Sequence, residues 1–252
     1  MIFKIKHKLK RLVAFFVERY QRKQRKLFDF WLLNEGKGEE SFSQCKQDLF
    51  VKYYFSSTKK DFFIFVDIGA NDGMTFSNTM ALEKSNNQKW RGICIEADPE
   101  VYSLLKKNRP NAFNYNIALC DKDGEVEFCS IKGPQMLSGI LSEYDPRHME
   151  RIKREIQQQC GKADTITIPS ARFDTILKNH PEIETIDYLS IDVEGAEMKI
   201  LENINFEEFD ITLIDIEDNY NDPKLIKFFK ERGYRPLIRL DADLFFEKCK
   251  KL

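Results

Sequence analysis

The run Asp61-Phe62-Phe63-Ile64-Phe65-Val66-Asp67 is apolar between two carboxylates and breaks into Ile68-Gly69-Ala70-Asn71-Asp72-Gly73-Met74-Thr75. An apolar run that ends in a glycine turn reads as a strand buried on both faces, and such strands belong to parallel sheets covered by helices on both sides. The rest of the chain must supply those neighbours, and it does so in alternation. Residues 90–97 read as a second strand, 99–108 as a helix opened by Pro99, 112–119 as a third strand, 186–192 as a strand and 195–203 as a helix. Residues 211–217 read as a further strand and 223–232 as a helix ended by Gly233, after which 234–240 and 243–248 form a hairpin turning at Asp241-Ala242. The pattern predicts an α/β fold with a mostly parallel, seven-stranded sheet, helices on both faces, and ligand sites beyond the carboxyl ends of the strands.

Three segments stand outside this alternation. Residues 44–55 read as a helix before the first strand, and 125–131 with 165–168 as extra strands enclosing a polar insertion or lid at about 133–161. Residues 2–33 form a helical pattern in which Ile5, Leu9, Leu12, Phe16 and Tyr20 recur at spacings of three and four. The first thirty residues also carry Lys4, Lys6, Lys8, Lys10, Arg11, Arg19, Arg22, Lys23, Arg25 and Lys26 against only Glu18 and Asp29. Such a basic amphipathic helix can lie on an anionic membrane, or it can pack on its own domain or on a twin subunit in a homo-oligomer. With a short linker at 36–40, the expected division is 1–40 as helical extension and linker, and 41–252 as the main domain.

The formal net charge of −1 over 252 residues gives no bias toward nucleic acid, so no nucleic-acid partner is expected. The apolar run at 12–17 is too short for a membrane span or a signal-peptide core. The six cysteines form no CxxC pair and sit largely in apolar or helical stretches, as buried thiols do in a reducing compartment. The expected location is the cytoplasm, peripheral at a membrane if the basic helix engages one.

The loop from Asp67 to Gly73 carries the strongest chemical signal. A dinucleotide-binding turn presents GxGxxG amides to a pyrophosphate, which Asp67 and Asp72 would repel. S-adenosylmethionine instead offers an ammonium and a sulfonium with one carboxylate, so acidic side chains there attract while Gly69 and Gly73 let the backbone approach the methionine tail. The bland alternative is a capping Asp67 and two turn glycines. The second strand ends in Gly92-Ile93-Cys94-Ile95-Glu96-Ala97-Asp98-Pro99, where Glu96 can accept both ribose hydroxyls, about twenty residues after the glycine loop. At the end of the third strand, Asn116-Ile117-Ala118 would lie over the adenine, with small residues leaving room for the ring, although Asn116 could equally satisfy local backbone.

These stretches resemble the FkbM family of S-adenosylmethionine-dependent methyltransferases, associated with O-methylation of sugars and other natural-product hydroxyls. The resemblance spans about residues 42–248. It rests on Phe42-Ser43-Gln44-Cys45-Lys46-Gln47-Asp48-Leu49-Phe50, the Val66 to Gly73 loop, Ser77-Asn78-Thr79, the Glu96 strand end, and Leu189-Ser190-Ile191-Asp192-Val193-Glu194-Gly195-Ala196-Glu197. It implies a Rossmann-like class I methyltransferase fold. It places Asp67, Gly69, Asn71, Gly73 and Glu96 at the cofactor, with Asp192, Glu194 and Glu197 near the transferred methyl or structuring that pocket. Taken together, the donor-site candidates are Asp67, Gly69, Ala70, Asn71, Asp72, Gly73, Ser77, Asn78, Glu96, Ala97, Asn116, Ala118 and Asp192.

Methyl transfer from a sulfonium is an in-line displacement, so the protein must align acceptor, methyl and sulfur, and take a proton if the acceptor is an alcohol. Adjacent strand ends could bring Asp192, Glu194 and Glu217 to one rim, where clustered carboxylates raise one another's proton affinity. Asp192 or Glu194 is the first choice of base, Glu217 a third, and His148 in the insertion a rival if that segment is a lid. Those carboxylates could instead hold a hard divalent cation such as magnesium that acidifies a sugar diol, although no residue pattern supports a metal, and His7, His148 and His180 offer no zinc spacing. The expected activity is O-methylation of a saccharide or of a glycolipid or polysaccharide precursor. The competing readings are N-methylation of a protein or small amine, an inactive scaffold that keeps the fold, and a nicotinamide-dependent oxidoreductase disfavoured by the acidic loop.

Overall fold

The computed structural model describes residues 2–85, 89–133, 135–144, 146–159, 161–219 and 221–249, with the side chains of 2–14, 135 and 146–148 left out. Its centre is β1 (Phe63–Ile68), flanked in parallel by β2 (Trp90–Glu96) and β8 (Thr185–Ile191). β3 (Phe113–Asn116) extends the sheet beyond β2, and β9 (Asp210–Glu217) extends it beyond β8. β11 (Asp243–Lys248) runs antiparallel to both β9 and β10 (Tyr234–Leu240), giving the order β10-β11-β9-β8-β1-β2-β3. The sheet is therefore mixed, with its antiparallel part in the hairpin that turns at Asp241.

Period-two alternation in β1 divides the core. Ile64, Val66 and Ile68 alternate with Phe63, Phe65 and Asp67, and the two sets face opposite sides of the sheet. Val66 and Ile68 pack with Phe173 and Leu177 of α6 (Phe173–Leu177), Leu201 of α7 (Glu197–Glu202) and Phe229 of α8 (Pro223–Glu231). Phe63 and Phe65 pack with Phe50 of α2 (Gln47–Phe55), Leu82 of α3 (Met80–Glu83) and Leu105 of α4 (Pro99–Asn108). Asp67 thus ends the strand on the aromatic face. Proline opens α4 and α8, where Asp98 and Asp222 cap the free amides at each helix start.

The long helix α1 (Ile2–Asn34) joins that aromatic core through its second half. Phe28 is 1% exposed, stacks on Trp31 and meets Phe50 edge-on. Tyr20 donates to Glu247 at 2.6 Å beneath the Arg235 guanidinium. Burying one phenylalanine contributes about 1.5–3 kcal/mol, so this part of the helix is fixed to the domain. No helix among the described residues is long and apolar enough to cross a membrane.

The expected third strand divides in two. Asn116 ties to the Glu96 and Ala97 carbonyls, and the chain then leaves the main sheet. It enters β4 (Ala118–Leu119), which pairs with β7 (Lys162–Ala171) of a second sheet ordered β4-β7-β5-β6. There β5 (Gly124–Lys132) forms a nine-residue antiparallel ladder with β7 and also pairs with β6 (Gly139–Ile140). α5 (Pro146–Gln158) completes the insertion.

Candidate active site

The sheet's connections run outward in opposite directions from the β1–β8 boundary, and at such a switch the loops diverge to leave a crevice. A cleft open at its mouth lies there beyond the ends of β1, β2, β8 and β9. Its floor is the turn after β1. Gly69 and Ala70 donate main-chain amides to the Ile95 carbonyl at 3.0 Å, and Gly69 takes φ 85°, open to glycine at little cost. Asn71 follows at φ 50° and donates its amide to Glu96 Oε2 at 2.9 Å, while the Asp98 amide donates to Glu96 Oε1 at 2.7 Å. Burial pushes the Glu96 carboxyl up to about 7 against these donors.

Asp67 accepts from the Thr79 hydroxyl at 2.6 Å, and burial raises its proton affinity against that bond and the nearby Arg109. Asn78 reaches across to Ser190 Oγ at 3.2 Å, joining the first loop to β8. Ile95, Val101, Ile117, Leu119 and Phe128 give an apolar slot on one side of the cleft, with Ala97 and Ala118 too small to fill it.

The opposite side is acidic. Carboxylate oxygens of Asp192, Glu194 and Glu217 lie within 4.8 Å of one another. Glu194 turns the chain at φ 56°, and Glu197 braces that turn by accepting from the Val193 and Gly195 amides at 3.2 and 2.9 Å. Burial, then the Glu217 and Glu194 charges, hold Asp192 well above the usual carboxylate range. Burial and Glu217 raise Glu194 to about 9, opposed by Arg151 of α5, whose Nη1 lies 3.3 Å away. Burial and the crowding of three carboxyls around Glu194 raise their proton affinities together. The cluster's oxygen-only donor set is also of the kind that holds a hard divalent cation.

The cleft lining includes Asp67, Gly69, Ala70, Asn71, Ser77 and Asn78 from the first loop, Glu96, Ala97 and Ala118 from the next two strand ends, and the three clustered carboxylates. Asp72, Gly73 and Asn116 are placed elsewhere. Asp72 accepts from the Met74 and Thr75 amides, which folds the turn, and Gly73 at φ 76° leaves no room for a Cβ against Arg109 and Leu105. Asn116 spends its amide on backbone carbonyls. The His148 side chain lies outside the described residues.

Several lining residues carried no sequence signal of their own. Gln44 comes from the turn ahead of α2 and Gln47 from its first residue, and Gln47 donates to Asp243 at the hairpin, whose carboxyl burial raises to about 6. Met136, Ser138 and Ile140 come from the insertion, which forms part of the wall. The Phe42 to Phe50 motif contained the glutamines, and only the tertiary fold brings them to the cleft.

Residues 67–236 match the family model described as the methyltransferase FkbM domain. The chain belongs to the FkbM methyltransferase family. This FkbM methyltransferase uses S-adenosylmethionine and has a Rossmann-like class I fold. No curated protein matches its sequence. Among solved structures it is similar to TrmK of M. capricolum in complex with S-adenosyl-homocysteine, at 12% identity and TM-score 0.43 over 82% of this chain and 68% of that one. It is also similar to human methyltransferase 10 domain containing protein, at 10% identity and TM-score 0.45 over 91% and 95% of the two chains. Fibrillarin of Aeropyrum pernix, with natively bound S-adenosyl-L-methionine, gives 16% identity and TM-score 0.40 over 84% and 82%. The glycine cradle, the buried Glu96 and the adjoining apolar slot fit a molecule that carries a ribose, a purine and a cationic methionine end.

Proposed function

We propose that this FkbM methyltransferase transfers the methyl group of S-adenosylmethionine to a hydroxyl oxygen of a saccharide or of a glycolipid or polysaccharide precursor. The observation that carries the reading is the close cluster of the Asp192, Glu194 and Glu217 carboxyls in the same cleft as the Gly69 cradle. An alcohol is a poor nucleophile until its proton has somewhere to go, and a carboxylate of raised proton affinity is a better acceptor for it. With the donor bound, the acceptor oxygen would form a bond to the methyl carbon as the carbon–sulfur bond breaks with its electron pair on sulfur, and the proton would pass to a carboxylate of the cluster that is ionised, with Asp192 the first choice and Glu194 or Glu217 next.

In this reading the Gly69, Ala70 and Asn71 backbone holds the methionine end, Glu96 accepts the ribose hydroxyls, and the slot between Ile95 and Phe128 takes the adenine. A neutral polyol suits an acidic wall, whereas a phosphate backbone would be repelled by it. We place the reaction in the cytoplasm, which the free and buried Cys94, Cys120 and Cys129 support.

The test is a trideuteromethyl donor offered with saccharide, glycolipid, protein and amine acceptors, products being read by mass spectrometry. Label on a sugar oxygen supports the proposal. Label confined to nitrogen sinks it in favour of N-methylation, and donor binding with no labelled product from any acceptor favours a scaffold.

A further inference from the structure

We propose that α1 docks this protein on an anionic lipid surface. One face of its second half is committed to the domain through Phe28 and Trp31, whereas Phe15, Phe16, Leu27, Phe30 and Leu33 are all exposed. At 3.6 residues per turn, Phe16, Leu27 and Phe30 fall within an arc of about 60°. Phe30 is 67% exposed and Leu33 75%, in a helix whose other face is already buried. Water is a poor environment for such a stripe, and a headgroup–acyl boundary is a good one.

The charges select the occupant. Arg19, Lys23 and Lys26 border or interrupt the stripe and enter no ion pair among the described residues, while Arg22 and Arg25 pair with Glu18 and Asp29. Basic residues run along the whole helix, so a second copy laid face to face in either direction would set cation against cation. A nucleic acid would satisfy the cations but leave the phenylalanines in water. An anionic bilayer answers both, because lysine and arginine stems can run along the apolar stripe while their heads meet lipid phosphates. Since Phe28 and the Tyr20–Glu247 bond fix α1 to the domain, docking would hold the cleft at a set attitude to the membrane.

The experiment is co-flotation of the full-length protein with phosphatidylcholine vesicles, with and without phosphatidylglycerol, at low and high salt. The variants are F16D/F30D, K23E/K26E and, as a control on the exposed face of α8, K227E, each checked by circular dichroism and donor calorimetry. Flotation only with phosphatidylglycerol, weakened by salt and about tenfold or more in both α1 variants but not in K227E, is expected. Failure to float with anionic vesicles, or flotation unchanged in both α1 variants, overturns the proposal. Concentration-dependent self-association or poly(U) binding that is lost in these variants, without vesicle binding, also overturns it by naming the other occupant. The readout is lipid binding rather than turnover, so it stands or falls apart from the acceptor reading.

Discussion

The main-chain oxygen of Asp192 stands 1.7 Å from where a Cβ on Gly69 would be, so the loop after β1 and the loop after β8 touch where no side chain can come between. The same residue needs φ 85°, and the contact joins the proposed donor cradle to the acidic cluster. Gly69→Ala must either push the loops apart or shift β8. We expect it to destabilise the protein by about 2 kcal/mol or more in urea unfolding and to weaken donor binding in whatever remains folded. Stability and affinity both at wild-type level would show that the approach is dispensable.

Glu96 should make donor binding depend on pH. Its carboxyl lies at about 7, so it loses its charge as the pH falls through that value and becomes a weaker acceptor for ribose hydroxyls. Calorimetric affinity for S-adenosylmethionine is expected to drop between pH 8 and pH 6. Glu96→Gln should bind about tenfold or more weakly at pH 8 and lose the pH dependence. An unchanged profile in Glu96→Gln would mean that other groups read the ribose.

Glu194 should cost stability on the alkaline side. Its folded value of about 9 lies above the ordinary 4.5, so its contribution is full in acid and is lost as pH rises from about 5 through 9. Glu194→Gln keeps the neutral shape without the titration. It should raise Tm at pH 8 by about 2–6 °C while changing it little at pH 5. A fall in Tm at pH 8 would mean that the Arg151 pairing, rather than the crowding by Glu217 and burial, governs the site.

Turnover should separate from donor binding at Asp192. Asp192→Asn preserves size and removes the proton acceptor, so kcat for an alcohol acceptor should fall by about 100-fold or more while S-adenosylmethionine affinity changes by only a few-fold. Equal losses in both would make Asp192 a donor ligand rather than the base.

The sheet could be read from local pattern because each strand is an apolar run of its own and each helix has its own punctuation, as at Pro99 and Pro223. The closing hairpin was visible for the same reason. That Gly69, Asn71 and Glu96 line the cleft follows from their places at strand ends, which the local pattern already marks. Sequence did not decide which polar side chains the turn itself consumes. Asp72, Gly73 and Asn116 belong to the same motifs as the cleft residues, and only the fold shows Asp72 and Asn116 bonded to backbone and Gly73 pressed on Arg109. Nor could spacing show that residues 112–119 divide between two sheets, because the break at Ile117 is set by Asn116 tying to the end of β2. The joining of Gln47 to Asp243, and of Arg151 to Glu194, spans 196 and 43 residues, so it depends on chain reversals that no local pattern records. What the sequence determined is the set of elements and the charge that each strand end carries, because both follow from nearest-neighbour chemistry. The tertiary structure alone decided which of those charges are buried together, and with that their proton affinities, because desolvation and crowding arise only once distant segments meet.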